Sequence, residues 1–183
     1  MPKANEEASI STSSATTLDV FSSSEDVGGI TVGSNDELDI DAGTTFTTNT
    51  SGDGGTNVIN GKLVVNLGEL VVGTGNLQGS GLIELASGGP VYSADLVING
   101  TVNADGTGSI EMNSSSLVNG NTIESTSGGI FTNNETLSGT GTIGNSTSLS
   151  FINDGTVSTG SGGPLEITGS TGNGTFTNTT HGV

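Results

Sequence analysis

Few residues of this chain could carry out acid–base or nucleophilic chemistry. Among its 183 residues there are one histidine and no cysteine, and the cationic side chains are Lys3 and Lys62. His181 lies close to the end of the sequence, so a Ser-His-Asp arrangement would depend on a chain terminus, where order is usually poor. A polar terminal residue is the simpler interpretation of His181. We therefore expect no catalytic site, and we expect that the protein is not an enzyme.

Carboxylates are the abundant charged groups, with 19 Asp and Glu residues. Several cluster near Asp36 and Asp39, and others lie in turns that contain glycine. Because carboxylate oxygens are preferred Ca²⁺ ligands, calcium is the one cofactor left open. Its candidate ligands are Asp36, Asp39, Asp41, Asp105 and Asp154. The glycine-rich nonapeptide that binds calcium in some secreted proteins does not occur in register. A solvated acidic surface explains the same residues, so no resident cofactor is expected.

The formal net charge of −17 argues against several classes of partner. Nucleic-acid phosphates and anionic membranes both bind clusters of cationic side chains. No run of about 18 apolar residues could cross a membrane, and the first residues lack the apolar segment of a secretory signal peptide. We expect neither nucleic-acid binding nor membrane insertion. The charge is interpreted as that of a soluble, secreted surface.

Short apolar segments bounded by Gly, Asn or Ser recur from Leu18 onward. Only 30% of the residues are hydrophobic and 3% aromatic, too few for an average globular core. Segments such as LVV, LVI and LEI are nevertheless typical of short strands, and pairs such as Asn60-Gly61 and Asp154-Gly155 mark tight turns. Residues 1–16 lack this pattern and are predicted to form a flexible polar arm. One domain is predicted over residues 17–183.

A degenerate repeat indicates how the strands are arranged. Similar stretches begin at Leu63, Leu82, Ile110, Ile130 and Leu149, with a loop inserted at about residues 87–93. We predict an all-β fold, a right-handed parallel β-helix (β-solenoid) of about eight coils of roughly 20 residues. Asparagine side chains are expected to form ladders between coils. A β-sandwich is the alternative fold, although sandwiches usually contain larger aromatic residues in their interior.

Alternation within the predicted strands indicates which side chains face the interior. A thin aliphatic rod of stacked coils explains how so few apolar residues suffice. The side chains expected inside are those of Leu63, Val65, Leu70, Val72, Ile83, Leu85, Leu96, Ile98, Ile110 and Met112.

The segment from Ile130 to Gly169 carries a family resemblance. It contains FTNNETLSG and FINDGTVSTG, and GTFTNTT follows near the end of the chain. These segments resemble the passenger repeats of bacterial autotransporter and filamentous-haemagglutinin-like adhesins, in which F-x-N-x-G-T-I/V precedes a glycine-rich corner. The resemblance implies a parallel β-helix that is extracellular or at a bacterial cell surface, acting as a stalk, an adhesin or a matrix fibre.

The two ends of a solenoid present unpaired strand edges that recruit another chain unless a polar cap covers them. No cap is recognisable at either end of this sequence. We therefore expect the chain to associate with itself, head to tail, into a filament. The residues expected at the contact are Leu18, Val20, Thr175, Phe176 and Thr177.

Two further functional classes stay open. Thr-x-Thr motifs begin at Thr45, Thr140 and Thr175, and stacked Thr ladders are typical of ice-binding solenoids, so a solenoid that binds ice or host or matrix glycans is the alternative. The ordinary β-propensity of Thr also explains these motifs. A carbohydrate-active enzyme comes last, because such sites use sugar-stacking aromatics and this chain has no Trp and a single Tyr, Tyr92.

Overall fold

A computed structural model describes residues 6–20, 24–49, 56–88, 92–114, 120–144, 148–168 and 174–183. Over these residues the chain forms β-strands and no helix, and hence no helix that could cross a membrane. Each strand pairs in parallel with its neighbours in one of three sheets. The predicted all-β parallel solenoid is confirmed. The β-sandwich is wrong, because a sandwich is built from two facing antiparallel sheets.

Each coil contributes one strand to each of the three sheets. The first sheet has eight strands, in the order β1 (Glu7–Ile10), β4 (Gly29–Val32), β7 (Thr56–Ile59), β10 (Gly75–Gln78), β13 (Thr101–Ala104), β16 (Ile130–Asn133), β19 (Ser150–Asn153) and β22 (Phe176–Asn178). The second sheet has seven, namely β2 (Thr16–Val20), β5 (Asp36–Ile40), β8 (Lys62–Asn66), β11 (Leu82–Ser87), β14 (Ser109–Ser114), β17 (Thr136–Gly139) and β20 (Thr156–Thr159). The third sheet also has seven, namely β3 (Glu25–Val27), β6 (Thr45–Thr48), β9 (Glu69–Val72), β12 (Asp95–Ile98), β15 (Thr122–Glu124), β18 (Gly141–Ile143) and β21 (Leu165–Ile167).

The coils are slightly fewer and longer than predicted. The described strands form seven sets of three, followed by β22, where about eight coils of roughly 20 residues were expected. The step between coils is 20 residues from Asn133 to Asn153 but 27 residues from Ser87 to Ser114. The connection from the first sheet to the second is short in every coil, as at Asn60-Gly61 between β7 and β8. The longest connections lie at the other two corners, as between β11 and β12.

The repeat seen in the sequence matches the coils only in part. Ile83 pairs with Ile110 one coil later, and the longer step between them contains the connection between β11 and β12. Of the loop predicted at about residues 87–93, Ser87 ends β11, and residues 89–91 lie outside the described residues. Ile130 does not continue this series, because it lies in the first sheet with an exposed side chain. The residue that stacks on Ile110 one coil later is Leu137. The spacing from Ile110 to Ile130 is therefore not one coil.

The structure differs from the predicted N-terminal arm at Glu7–Ile10. These residues form β1, which pairs in parallel with β4, and Ala8 and Ile10 pack against the core. The physical reason is pairing with the next coil, which supplies a partner for the backbone of a four-residue segment too short and too polar to be recognised as a strand alone.

All ten side chains predicted to face the interior are buried. They form columns in which most of them stack on an apolar residue of the next coil. The longest column of the second sheet runs through Leu18, Leu38, Leu63, Ile83, Ile110, Leu137 and Val157. Because a column continues through every coil, a thin interior of small aliphatic residues forms one continuous core.

Glycines permit the close approach of neighbouring coils at the corners. Gly79 has a φ of +125°, and a Cβ atom there would lie 2.0 Å from the carbonyl oxygen of Ile59 in the preceding coil. Gly139 has the same relation to Met112, with a φ of +124° and a distance of 2.1 Å. A side chain at either position would force the coils apart, so glycine is required there.

Removing one member of a central column should destabilise the whole rod. We expect Leu85→Ala to lower the free energy of unfolding by about 2–5 kcal/mol, because it leaves a cavity in a fully buried column. Glu111→Ala, on the exposed outer face of the neighbouring strand, is the control and should change it by less than about 0.5 kcal/mol. Urea denaturation followed by circular dichroism measures both. Equal effects of the two changes would contradict the column description.

Candidate functional site

The N-terminal end of the solenoid exposes the first layer of its core. Leu18 and Val20 lie on β2, the edge strand of the second sheet. The side chain of Leu18 is 49% exposed, whereas that of Leu38, its neighbour in the column, is 2% exposed. Ala8 and Ile10 on β1 are also only partly buried. This end therefore presents an apolar layer with no further coil above it among the described residues.

The C-terminal end exposes the last ring of an aromatic stack. Phe131, Phe151 and Phe176 occupy one column of the first sheet, with ring centroids 5.8 Å and 5.6 Å apart. The first two are buried and Phe176 is 48% exposed. Thr177 pairs with Ile152, and the carbonyl oxygen of Thr175 accepts a hydrogen bond of 2.7 Å from the amide of Phe151. The three predicted contact residues thus lie on one terminal strand segment.

An asparagine ladder runs beside the aromatic stack. Asn133 Nδ2 donates to Asn153 Oδ1 at 2.9 Å, and Asn153 Nδ2 donates to Asn178 Oδ1 at 2.8 Å. The predicted ladder is confirmed, although its members were not identified from the sequence. The F-x-N motif could have identified these asparagines, because residues two apart on a strand face the same side. Phe and Asn therefore both point inward, and Asn178 is the outermost rung.

The predicted contact residues lie at opposite ends of the stack. Leu18 and Val20 lie on the first strand of the second sheet, and Phe176 lies on the last strand of the first sheet. They cannot meet within one molecule. A contact between the two groups requires a second copy of the chain.

Asp36, the first calcium candidate, has a structural partner. Its carboxylate accepts hydrogen bonds from the backbone amide of Thr12 at 2.9 Å and from the hydroxyl of Thr12 at 2.5 Å. These bonds stabilise the ionised carboxylate, the side-chain bond most of all, and hold the pKa of Asp36 below its usual value. The hydrogen bonds between Asp36 and Thr12 thus link the corner of the first coil to the second coil.

Asp39 lies among other carboxylates on the outer face of the second sheet. Its column neighbour at the end of the solenoid is Asp19. Partial burial raises the pKa of Asp39, and repulsion from Asp41, Asp19 and Glu37 raises it further, against a smaller opposing effect of Lys62. Asp39 Oδ1 is buried and has no hydrogen-bond partner among the described residues.

Asp105 and Asp154 lie at corners between the first and second sheets, in different coils. Asp105 is exposed. Asp154 accepts a hydrogen bond from the hydroxyl of Thr179, and its Oδ1 is 3.2 Å from His181 Nδ1. The Thr179 bond, and then the nearby imidazole, lower the pKa of Asp154.

The five calcium candidates are not brought together as one site. Asp36, Asp105 and Asp154 occupy corners of separate coils, whereas Asp39 and Asp41 lie on or beside the outer face of the second sheet. Within the described ranges, no group of three or more His, Cys, Asp or Glu side chains is arranged to hold a metal ion.

Sequence reasoning missed an ion pair that spans three coils of the second sheet. Lys62 Nζ is 2.7 Å from Glu84 Oε2, and Glu84 Oε1 accepts a hydrogen bond of 3.0 Å from Asn113 Nδ2. The bond to Glu84 raises the pKa of Lys62, and the bond from Lys62 lowers the pKa of Glu84. Lys62 and Glu84 lie far apart in sequence, so only the stacking of coils could reveal the pair.

A shallow groove of about 520 Å³ follows the corner between the first and second sheets over the N-terminal coils. Its lining is dominated by hydroxyl and amide side chains, with Lys62 and Glu37 beside them. The uncharged polar residues of the lining are Thr16, Thr17, Ser34, Asn35, Asn60, Ser80 and Ser109.

The outward-facing threonines do not form a flat ladder. Thr45 and Thr142 lie in one column of the third sheet, but Glu69 and Asp95 separate them. Thr45 Oγ1 donates to Glu69 Oε2 at 2.9 Å, so this hydroxyl binds a neighbouring carboxylate. Charged residues thus interrupt the regular hydroxyl surface that ice binding would require.

No family model matches the sequence, and neither a curated protein nor a solved structure matches it. The structure agrees with a solenoid repeat protein. Membership of the autotransporter or haemagglutinin-like adhesins stays a prediction from the F-x-N repeats.

The carboxylates of Asp39 and Asp36 should have opposite effects on stability as the pH changes. The pKa of Asp39 is raised in the folded protein, so its contribution is present at low pH and is lost as the pH rises through that pKa. Asp39→Asn should therefore stabilise the protein at pH 7, by less than about 1 kcal/mol because the carboxylate is only partly buried and solvent screens its repulsion, and leave it nearly unchanged at pH 3.

Asp36→Asn is the matched comparison. The lowered pKa of Asp36 means that its contribution is present at neutral pH and is lost as the pH falls through the folded-state pKa. This change should destabilise the protein at pH 7, with a smaller effect in acid. Urea midpoints at several pH values measure both variants, and the same pH trend for the two would contradict the assignment.

Proposed function

We propose that this chain is a non-enzymatic structural subunit whose open ends stack, one copy on the next, into a filament. The observation that carries the proposal is that both terminal layers expose residues from columns that run through the rod. Leu18 belongs to the main aliphatic column of the second sheet, and Phe176 belongs to the aromatic stack of the first. Burying such residues is favourable at about 25 cal/mol per Å² of apolar surface.

The columns supply a register for this contact. The column of Asn178 runs through Asn153, Asn133 and Ala104 toward the column position of Ala8 at the other end. In a head-to-tail stack, Asn178 of one copy would lie over Ala8 of the next, as Asn133 lies over Ala104 within the chain. In the second sheet the edge of β20 already pairs with Val183, whose amide donates to the carbonyl oxygen of Gly155 at 2.9 Å and whose carbonyl oxygen accepts from the amide of Val157 at 2.6 Å. In the first sheet the junction would thus repeat the packing between ordinary coils, whereas in the second sheet Val183 would take part in the contact.

Charge sets the conditions under which such a contact forms. The N-terminal end carries Glu6, Glu7 and Asp19, and the C-terminal end carries Asp154 and Glu166. Two acidic ends repel each other at low ionic strength, and salt screens that repulsion. The same charge along the rod, part of a net −17, would keep filaments from associating side by side.

The proposed setting is extracellular, at a bacterial cell surface. It is supported by the F-x-N repeats, which resemble adhesin passenger repeats, by the acidic surface, and by the absence of cysteine from the sequence. A stack of such rods would serve as a stalk or a matrix fibre.

Substituting a charge at either end should abolish assembly without unfolding the rod. We expect the unmodified protein to form filaments as concentration and salt increase, with an axial repeat of roughly 35 Å for seven coils spaced by about 4.8 Å. Leu18→Asp should prevent this because it brings charge into an apolar layer, and Phe176→Asp should prevent it because the same register places residue 176 over Glu6, where a second carboxylate is repelled. Sedimentation velocity and electron microscopy measure the outcome.

Thr101→Asp is the control for this experiment. It adds the same charge to an exposed position on the side of the rod, so filaments should persist, and circular dichroism checks that every variant is folded. A protein that stays monomeric at all salt concentrations would overturn the proposal.

A second function, binding of a neutral glycan, is supported by the groove at the corner of the N-terminal coils. Its hydroxyl and amide lining can form many hydrogen bonds with a polyhydroxylated ligand, and the acidic surface disfavours an anionic one. Neutral polysaccharides should bind in a glycan array, and Ser80→Phe, which fills the groove, should abolish the signal. Thr132→Phe, on another face, is the control. Binding that survives Ser80→Phe would reject this site.

A further inference from the structure

The interior of the solenoid contains a polar layer close to its N-terminal end. Thr48, Asn49 and Asn57 are 0%, 1% and 1% exposed, respectively. Thr48 lies in its column between Val27 and Val72, and Asn57 lies beside Leu77 in the first sheet. Thr48 and Asn57 are thus enclosed by aliphatic residues on the coils before and after them.

Most of the hydrogen-bonding capacity of this layer is unmet by the described protein groups. Six buried side-chain polar atoms have no partner, and four of them are Thr48 Oγ1, Asn49 Oδ1, Asn49 Nδ2 and Asn57 Oδ1. Asn57 Nδ2 makes one long bond of 3.4 Å to the carbonyl oxygen of Asn76. Leaving such atoms unsatisfied would cost about 1–3 kcal/mol for each group.

Buried polar side chains elsewhere in the core do have hydrogen-bond partners. The Asn133–Asn153–Asn178 ladder is paired, and Ser87 Oγ and Ser114 Oγ lie 2.9 Å apart. The unmet atoms near Asn49 are also of both kinds, with oxygens that accept, an amide that donates and a hydroxyl that does both. A ligand that both donates and accepts satisfies them.

The backbone of neighbouring coils approaches closely at this point. Gly28 and Gly29 form the corner of the preceding coil, and a Cβ atom on Gly29 would lie 2.8 Å from the carbonyl oxygen of Thr56 and 3.5 Å from Asn49 Oδ1. Asn49 has a φ of 58°, a left-handed conformation that asparagine tolerates better than most residues. Its backbone amide donates to the carbonyl oxygen of Val27 at 3.2 Å, which fixes its side chain over this glycine corner.

We propose that Thr48, Asn49 and Asn57 form an internal water site, in which one or two ordered water molecules bridge the three side chains. Buried waters typically make about three hydrogen bonds to polar groups that the protein leaves unpaired, and this layer offers four such atoms. The site does not depend on the proposed filament, because its residues face the interior of a single copy.

The sign of one stability change tests the site. Valine has the shape of threonine, and it would lie between Val27 and Val72. If water binds Thr48 Oγ1, Thr48→Val removes one of its partners and lowers the urea midpoint. If no ligand binds the hydroxyl, the same change completes an apolar column and raises the midpoint, which would overturn the proposal. Thr132→Val, an outward-facing threonine of β16, is the control and should not lower the midpoint.

Water itself is then detected directly. Magnetic relaxation dispersion should show water residing in the unmodified protein for longer than the protein takes to tumble, and the signal should fall in the double variant Thr48→Val, Asn57→Leu. Retention of the full signal, or no slow water in the unmodified protein, would overturn the assignment. A stability that differs between sodium and choline chloride at equal ionic strength would identify a cation as the ligand and equally reject water.

Discussion

Every part of this structure depends on the stacking of parallel coils in register. A side chain that points inward has as its main neighbours the residues at the same position of the coils before and after it, so like stacks on like. This single constraint explains the aliphatic columns, the phenylalanine stack and the asparagine ladder. It also explains why a chain with 3% aromatic residues forms a buried core. The interior has the width of one coil, so large side chains are not needed to fill it.

The same constraint explains why the ends of the rod matter more than its sides. A coil inside the rod has a neighbouring coil on both sides, but a terminal coil has a neighbour on one side only. The exposed side chain of Leu18 and the buried side chain of Leu38 show the difference. A globular domain closes its core on all sides, whereas a solenoid leaves two open cross-sections. The proposed filament rests on this geometry, and the proposed adhesin-like setting rests on the sequence resemblance.

The fold could be predicted from local patterns, because strand alternation and turn residues act over a few positions. Residues such as Leu63 and Met112 were placed inside correctly for that reason. The phase of the repeat could not be predicted, because Ile130 has the local pattern of a core residue and only its pairing partner, Thr101, shows that it faces outward. The strand at Glu7–Ile10 needs the next coil in order to form. The calcium candidates failed to converge because nearness in sequence, as for Asp36 and Asp39, does not place two carboxylates on the same face.

The connections between the three sheets differ in length, so the three edges of the rod are not equivalent. The connection between the first and second sheets stays short, from two residues after β7 to five after β1, whereas the other two connections vary more and include the longest ones, as between Ser87 and Asp95. The cross-section is therefore a triangle with one smooth edge and two edges that can carry variable loops. Insertions would accumulate along those two edges without disturbing the columns. Such a rod has one edge free to lie against a flat neighbour and two edges available for display.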